Sequence, residues 1–124
     1  MSYTSRETVL TALHGIDLNS TADQSLTIPS NKYIIRRVIV CNASATPVLA
    51  AGGIYTGAGK TGSQVIGAGQ VYSSLTATGK YLDLSLASIV TTDILTSGLL
   101  YFSLTTANGS AVTADIYVIG DDLE

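Results

Sequence analysis

Short runs in which apolar and polar residues alternate dominate this chain of 124 residues, and Gly, Asn, Ser and Pro separate one run from the next. Because successive side chains of a strand point to opposite faces, such alternation predicts strands that each bury one face. About eight runs recur at intervals of roughly 8–12 residues, with almost no helical periodicity. The sequence therefore predicts a single all-β antiparallel sandwich, jelly-roll-like in preference to immunoglobulin-like.

The alternation is clearest in the last third of the chain. It predicts that three sets of apolar side chains face the core: Leu82, Leu84 and Leu86; Leu100, Phe102 and Leu104; and Ala114, Ile116 and Val118. Asn108 and Gly109 lie between the last two runs, and both residue types tolerate positive φ. They predict a hairpin turn that brings the final run back antiparallel to the one before it.

Residues 33–42 form the longest run, and both of its faces are largely apolar. Strict alternation places Tyr33, Ile35, Ile39 and Cys41 with Arg37 on one face, and Ile34, Val38 and Val40 with Arg36 on the other. This pattern predicts a strand covered on both sides, one of them by a neighbouring subunit. At least one arginine is then expected at a subunit contact or paired with a carboxylate.

Two other segments carry more specific predictions. Residues 48–56 read as a strand, and the pair Gly52 and Gly53 within it predicts a bulge or a close approach of two backbones. Residues 8–14 combine four β-forming residues with a weak helical spacing of Val9 and Leu13, and an extended arm is the favoured interpretation. The predicted organisation is an N-terminal arm or first strand over residues 1–22 and a β-sandwich over residues 23–124.

The low charge of the chain excludes several classes of protein. Charged residues make up 12% of the sequence, about half the usual share, and the pI is near 4.8. Disorder, a coiled coil and an electrostatic nucleic-acid binder are all disfavoured. No secretory signal and no long apolar window is evident, so we expect synthesis in a cytosol and no membrane partner.

No pattern of residues predicts catalysis, a metal site or a cofactor. His14 and Cys41 are the only soft metal ligands, whereas a metal site needs several that converge. Gly59, Lys60 and Thr61 resemble the end of a phosphate-binding loop, but Ile54 stands where that motif requires its first glycine. The carboxylates are scattered, so an acid–base pair is not expected.

Tyrosines supply the strongest hint of a binding surface, because the alternation places Tyr101 and Tyr117 opposite the inward sets. Exposed tyrosine is common at interfaces and at sugar-binding surfaces, although tyrosine also simply suits strands. The candidate subunit or partner contacts are the apolar residues of the arm, the two arginines and these tyrosines: Val9, Leu10, Leu13, Arg36, Arg37, Tyr101 and Tyr117.

Four segments, residues 33–44, 51–56, 99–107 and 114–120, resemble small structural proteins of tailed bacteriophages. The nearest type is the head decoration, or cement, protein with a jelly-roll sandwich, and the resemblance covers about residues 25–120. It implies a non-enzymatic protein, made in the bacterial cytoplasm, that binds the major capsid protein on the outside of the virion. It also implies a homo-oligomer, often a trimer, that bridges neighbouring capsomers.

Tail and head-fibre proteins have similar sandwiches, so the alternative is a fibre module that binds a host receptor or a carbohydrate. The scarcity of charge fits either assembly. Solvent-exposed sheets usually carry Lys and Glu for solubility and to protect their edges. Ser and Thr at those positions predict a surface that is hidden against other proteins.

Overall fold

The computed structural model describes residues 7–88 and 90–124. Within them the chain forms eight β-strands: β1 (Glu7–Asp17), β2 (Gln24–Thr27), β3 (Tyr33–Cys41), β4 (Ala51–Gly57), β5 (Thr61–Ile66), β6 (Tyr81–Asp83), β7 (Leu99–Thr106) and β8 (Thr113–Asp122). Every strand pairing is antiparallel.

The strands form two four-stranded sheets in the order β1-β8-β3-β6 and β2-β7-β4-β5. Every connection passes from one sheet to the other except that between β4 and β5. This strand order is the paired Greek key of a jelly roll. The predicted all-β, eight-stranded jelly-roll sandwich is therefore confirmed.

One hydrophobic core fills the space between the sheets, and the inward sets predicted for the last two strands are confirmed. Leu100, Phe102 and Leu104 of β7, and Ala114, Ile116 and Val118 of β8, are buried. Leu84 is also buried, whereas Leu82 and Leu86 are partly buried and pack against the core. Alternation with a period of two depends only on the local geometry of a strand, which explains why it predicts these buried residues correctly.

The paired glycines of β4 allow the close backbone approach that the sequence predicts. A Cβ at Gly53 would overlap the carbonyl oxygen of Ile66 on β5, and the register of β4 against β7 shifts between Ala51 and Gly52. Beside them, the buried Tyr72 hydroxyl donates to the Gly52 carbonyl at 2.9 Å. The prediction that this strand begins at Val48 is wrong, because β4 begins at Ala51 and Val48 lies in the preceding loop.

A β-bulge in β3 changes the faces that strict alternation assigns. The register with β8 shifts between Ile35 and Arg37, so that Arg36 is an extra residue on this strand. Tyr33, Ile35, Val38 and Val40 are buried, and both arginines are exposed. The placement of one arginine on each face is therefore wrong, as is the grouping of Tyr33 with Ile39.

The N-terminal segment is the first strand of the sandwich over Glu7–Asp17. It pairs along its length with β8 at the edge of the sheet, with register shifts after Val9 and after Leu13. Of the two alternatives predicted for residues 1–22, an arm or a first strand, Glu7–Asp17 is thus a first strand, and it belongs to the sandwich. Residues 1–6 of the predicted arm lie outside the described residues, as does Ile89.

The prediction of a hairpin at Asn108 and Gly109 is wrong. Gly109 does have a positive φ of 90°, but β7 and β8 lie in different sheets and do not pair with each other. The side chain of Asn108 is buried and bonds across the loop instead. Local turn chemistry identified the turn, whereas the partner of β8 is decided by the packing of the whole sandwich.

Candidate interaction surfaces

The two exposed arginines of β3 lie near carboxylates on the outer side of the first sheet. Arg36 contacts Asp121 of β8, with an Nη2–Oδ2 distance of 2.9 Å, and Nε donates to the same oxygen at 3.0 Å. Arg37 Nε lies 3.5 Å from Glu7 Oε1 of β1. The prediction that at least one arginine pairs with a carboxylate is confirmed, and the subunit contact stays a prediction.

Asp115 of β8 is the centre of a second polar group on the same outer face. Its carboxylate accepts hydrogen bonds from the Gly15 backbone amide and from Asn42 Nδ2, each at 2.9 Å, and His14 Nδ1 lies 3.4 Å away. These donors lower the pKa of Asp115, and the Asn42 amide has the largest effect. The group fastens the bulge at His14 and Gly15 of β1 to its neighbouring strands.

Cys41 is the register partner of Asp115 on β3, which brings the only cysteine close to the Asp115 group. Burial raises the pKa of its thiol, and the negative charge of Asp115 raises it further. Reactive cysteines have a lowered pKa and a cationic neighbour. At Cys41 the pKa is raised and the neighbouring side chain is an anion, so the surroundings favour the protonated thiol.

The remaining candidate contact residues do not come together on one surface. Val9 on β1 is 52% exposed. The ring of Tyr117 on β8 meets the His14 ring edge-on, with 5.7 Å between the ring centroids. Tyr101 lies on the other sheet, opposite Ser25 and Tyr55.

The sequence predicts that Leu10 is a contact residue, but it is a buried member of the core. Leu13 is partly buried and packs against that core. The bulge after Val9 accounts for the burial of Leu10, since it interrupts the regular alternation of β1.

The tip of the β4–β5 hairpin is tied to the segment just before β2. The Gly59 amide donates to Asp23 at 2.7 Å, and Lys60 Nζ donates to the Thr21 carbonyl at 3.2 Å. The Gly59 amide also lowers the pKa of the Asp23 carboxyl. Lys60 therefore has a structural contact. The turn that carries it joins two strands, whereas a phosphate-binding loop leads into a helix.

Four connections meet at one end of the sandwich and form a surface that we call the loop end, comprising residues 18–22, 42–50, 73–79 and 107–112. Hydrogen bonds link the connections to one another: Asn108 N to Leu18 O, Gly109 N to Asn19 Oδ1, Thr46 Oγ1 to Thr76 O, and Thr78 Oγ1 to Ala43 O. None of these residues is charged. Asp17, Asp23 and Lys80 border them at the strand ends.

Val48 and Leu49 project from the loop end, and their side chains are 65% and 61% exposed. Asn108, only 6% exposed, holds them in place by accepting the Leu49 amide at 3.0 Å while its own amide donates to Ser110. Sequence reasoning missed this pair because it assigned Val48 to a strand. Pro47 was the available signal, because proline is disfavoured inside a central strand.

The rest of the described surface offers little for chemistry. A shallow depression of about 450 Å³ is lined by uncharged residues: Gly67, Gly69, Gln70, Val71, Ser85 and Ala87. Among residues 7–88 and 90–124, no three His, Cys, Asp or Glu side chains are grouped so that they could hold a metal ion. The same residues include no helix long and apolar enough to cross a membrane.

Comparison with known proteins does not assign the chain to a family. No family model, no curated protein and no solved structure matches it. The strand order and the surfaces described above are therefore the basis for any statement about function.

Proposed function

We propose that this chain is a non-enzymatic structural protein of a bacteriophage virion, and specifically a decoration protein that binds the capsid exterior and bridges capsomers. The observation that carries the proposal is the loop end, where four uncharged connections present Val48 and Leu49 to solvent, as expected of a subunit that packs against other chains in an assembly. Contiguous exposed apolar residues with a polar rim are typical of protein–protein contact surfaces.

The jelly roll is compatible with this role. The fold occurs in viral capsid proteins, but also in lectins and cupins, so the surface must decide between them. Here the strands form a well-packed scaffold, and the connections supply the contact surface. The virion and the decoration role themselves come from the sequence resemblance described above.

A decoration protein is tested by adding the purified chain to phage heads that lack it. We expect density on the outside of the head by cryo-electron microscopy, and release of DNA at a higher temperature than from bare heads. Heads that acquire neither density nor heat resistance would exclude a decoration role. An unrelated jelly-roll domain of similar size serves as the control for non-specific adsorption.

The fibre module is the second candidate, and the outer face of the first sheet favours it. Tyr81, 70% exposed, and Tyr117 lie on this face near the Asp115 and Asn42 side chains, and saccharides are commonly bound by aromatic rings beside planar polar groups. We expect this candidate to give a glycan-array signal that Tyr117→Ala and Tyr81→Ala remove. Localisation of the chain to fibre tips would also favour it over the head.

A further inference from the structure

We propose that the loop end is the surface through which copies of this chain associate, with the Val48 and Leu49 side chains of each copy packed against those of the next. This inference rests on the proposed function, for which the sequence resemblance implies a homo-oligomer, and adds to it the contact that builds the oligomer. Three features of the loop end support this contact: its rigidity, its exposed apolar side chains and its distribution of charge.

The loop end is organised before any partner binds. The Asn108 side chain accepts a hydrogen bond from the Leu49 amide and donates to both the carbonyl and the hydroxyl oxygen of Ser110. The backbone amide of Asn108 donates to the Leu18 carbonyl. The Val48 amide donates to the Thr46 carbonyl at 3.0 Å, which shapes the turn below the exposed pair. Because this backbone is already fixed, contact through it costs little further ordering.

The exposed pair stands out because of its surroundings as well as its hydrophobicity. Single exposed apolar residues are normal on any protein, whereas Val48 and Leu49 are adjacent and lie among 27 loop-end residues without a charge. The charges at the border are Asp17, Asp23 and Lys80 along the chain, and Lys60, whose ammonium group donates to the Thr21 carbonyl. An apolar centre with a charged border has the anatomy of a protein interface.

The absence of charge favours a second copy over a different protein as the occupant. In a rotationally symmetric oligomer, residues near the axis meet the same residues of other copies, so a charge there would face a like charge. A surface for a different protein has no such restriction and can use complementary charges. The chain follows this distinction, because on its outer sheet face three basic side chains each lie beside a carboxylate, while no loop-end residue is charged.

Analytical ultracentrifugation of charge variants tests the contact. We expect the wild-type chain to sediment as an oligomer, and expect both Leu49→Glu and Leu49→Lys to weaken association about 100-fold, because each places like charges together. An equimolar mixture of the two variants should recover at least part of the association, since opposite charges then meet across some of the contacts. The matched control is Ile94→Glu, an exposed apolar position outside the loop end, which should sediment like wild type.

The outcomes separate this inference from the proposed function. A monomeric wild-type chain, or Leu49 variants that still associate, would overturn the inference even if the chain binds heads. Loss of association with no recovery in the mixture would also overturn it, because the residue would then not face its own copies. Association through Leu49 without binding to heads would leave the inference standing and exclude decoration.

A neutral variant keeps the test valid if a charged variant folds poorly. Leu49→Ser removes the apolar side chain without adding charge, and circular dichroism checks its fold. Weaker association of the folded Leu49→Ser protein supports the contact, and association unchanged from wild type contradicts it.

Discussion

The outer face of the first sheet and the loop end present opposite kinds of groups to solvent. The sheet face carries charges, but each of three basic side chains lies beside a carboxylate of the same chain: His14 with Asp115, Arg36 with Asp121 and Arg37 with Glu7. No loop-end residue is charged, and backbone, amide and hydroxyl hydrogen bonds link its connections to one another. The sheet face is suited to water, whereas the loop end is suited to another protein surface.

Asn108→Ala should produce the largest change, because it removes the side chain that organises the loop end. The Leu49 amide loses its acceptor, and Ser110 loses its donor, at a site that is largely buried. We expect a loss of about 2–3 kcal/mol in the free energy of unfolding, measured with urea.

Asn19→Ala is the matched control for that measurement, because its exposed side chain accepts a single hydrogen bond of the same kind, from the Gly109 amide. We expect it to cost about 0.5–1 kcal/mol. Equal losses in the two variants would show that the loop end is not organised around Asn108.

Asp115→Asn should have an intermediate effect, and the effect should depend on pH. The carboxylate of Asp115 has a pKa below its usual value in the folded chain, so its stabilising contribution is complete above about pH 4 and is lost as pH falls through the folded pKa. The variant should be about 1 kcal/mol less stable than wild type at pH 7. That difference should shrink on acidification below pH 4, as followed by urea unfolding at a series of pH values.

His14→Ala is the control for Asp115→Asn, because it leaves the bonds from Gly15 and Asn42 in place. The His14 side chain is largely exposed, so we expect it to change stability by less than about 0.5 kcal/mol. A constant difference between Asp115→Asn and wild type from pH 7 to pH 3 would contradict the role assigned to the carboxylate.

Arg36→Ala and Arg37→Ala should have the smallest effects. Exposed ion pairs contribute little, so each substitution should cost less than about 1 kcal/mol, and Arg36 should cost more because two of its nitrogens contact Asp121. Neither should change the oligomeric state by ultracentrifugation. If either variant dissociates the oligomer, the contact between copies lies on the sheet face and not at the loop end.

The sequence predicts most of the fold because period-two burial is local, as the inward residues of β7 and β8 show. It fails where one extra residue enters a strand, since the bulge at Arg36 turns both arginines to the same side. It also fails at Asn108, because the partner of β8 depends on the whole sandwich. The loop end is equally hard to predict, since its four connections are far apart in the chain and meet only through the jelly-roll topology.

The two interruptions in β1 bear on how large an assembly of this chain can grow. A long, regular edge strand offers a continuous row of backbone groups that a second copy can extend, and repeated extension leads to fibres. In β1 the register shifts after Val9 and again after Leu13, so the row is broken twice. Polymerisation along this edge is thereby discouraged, and association through the loop end can close into a particle of fixed size.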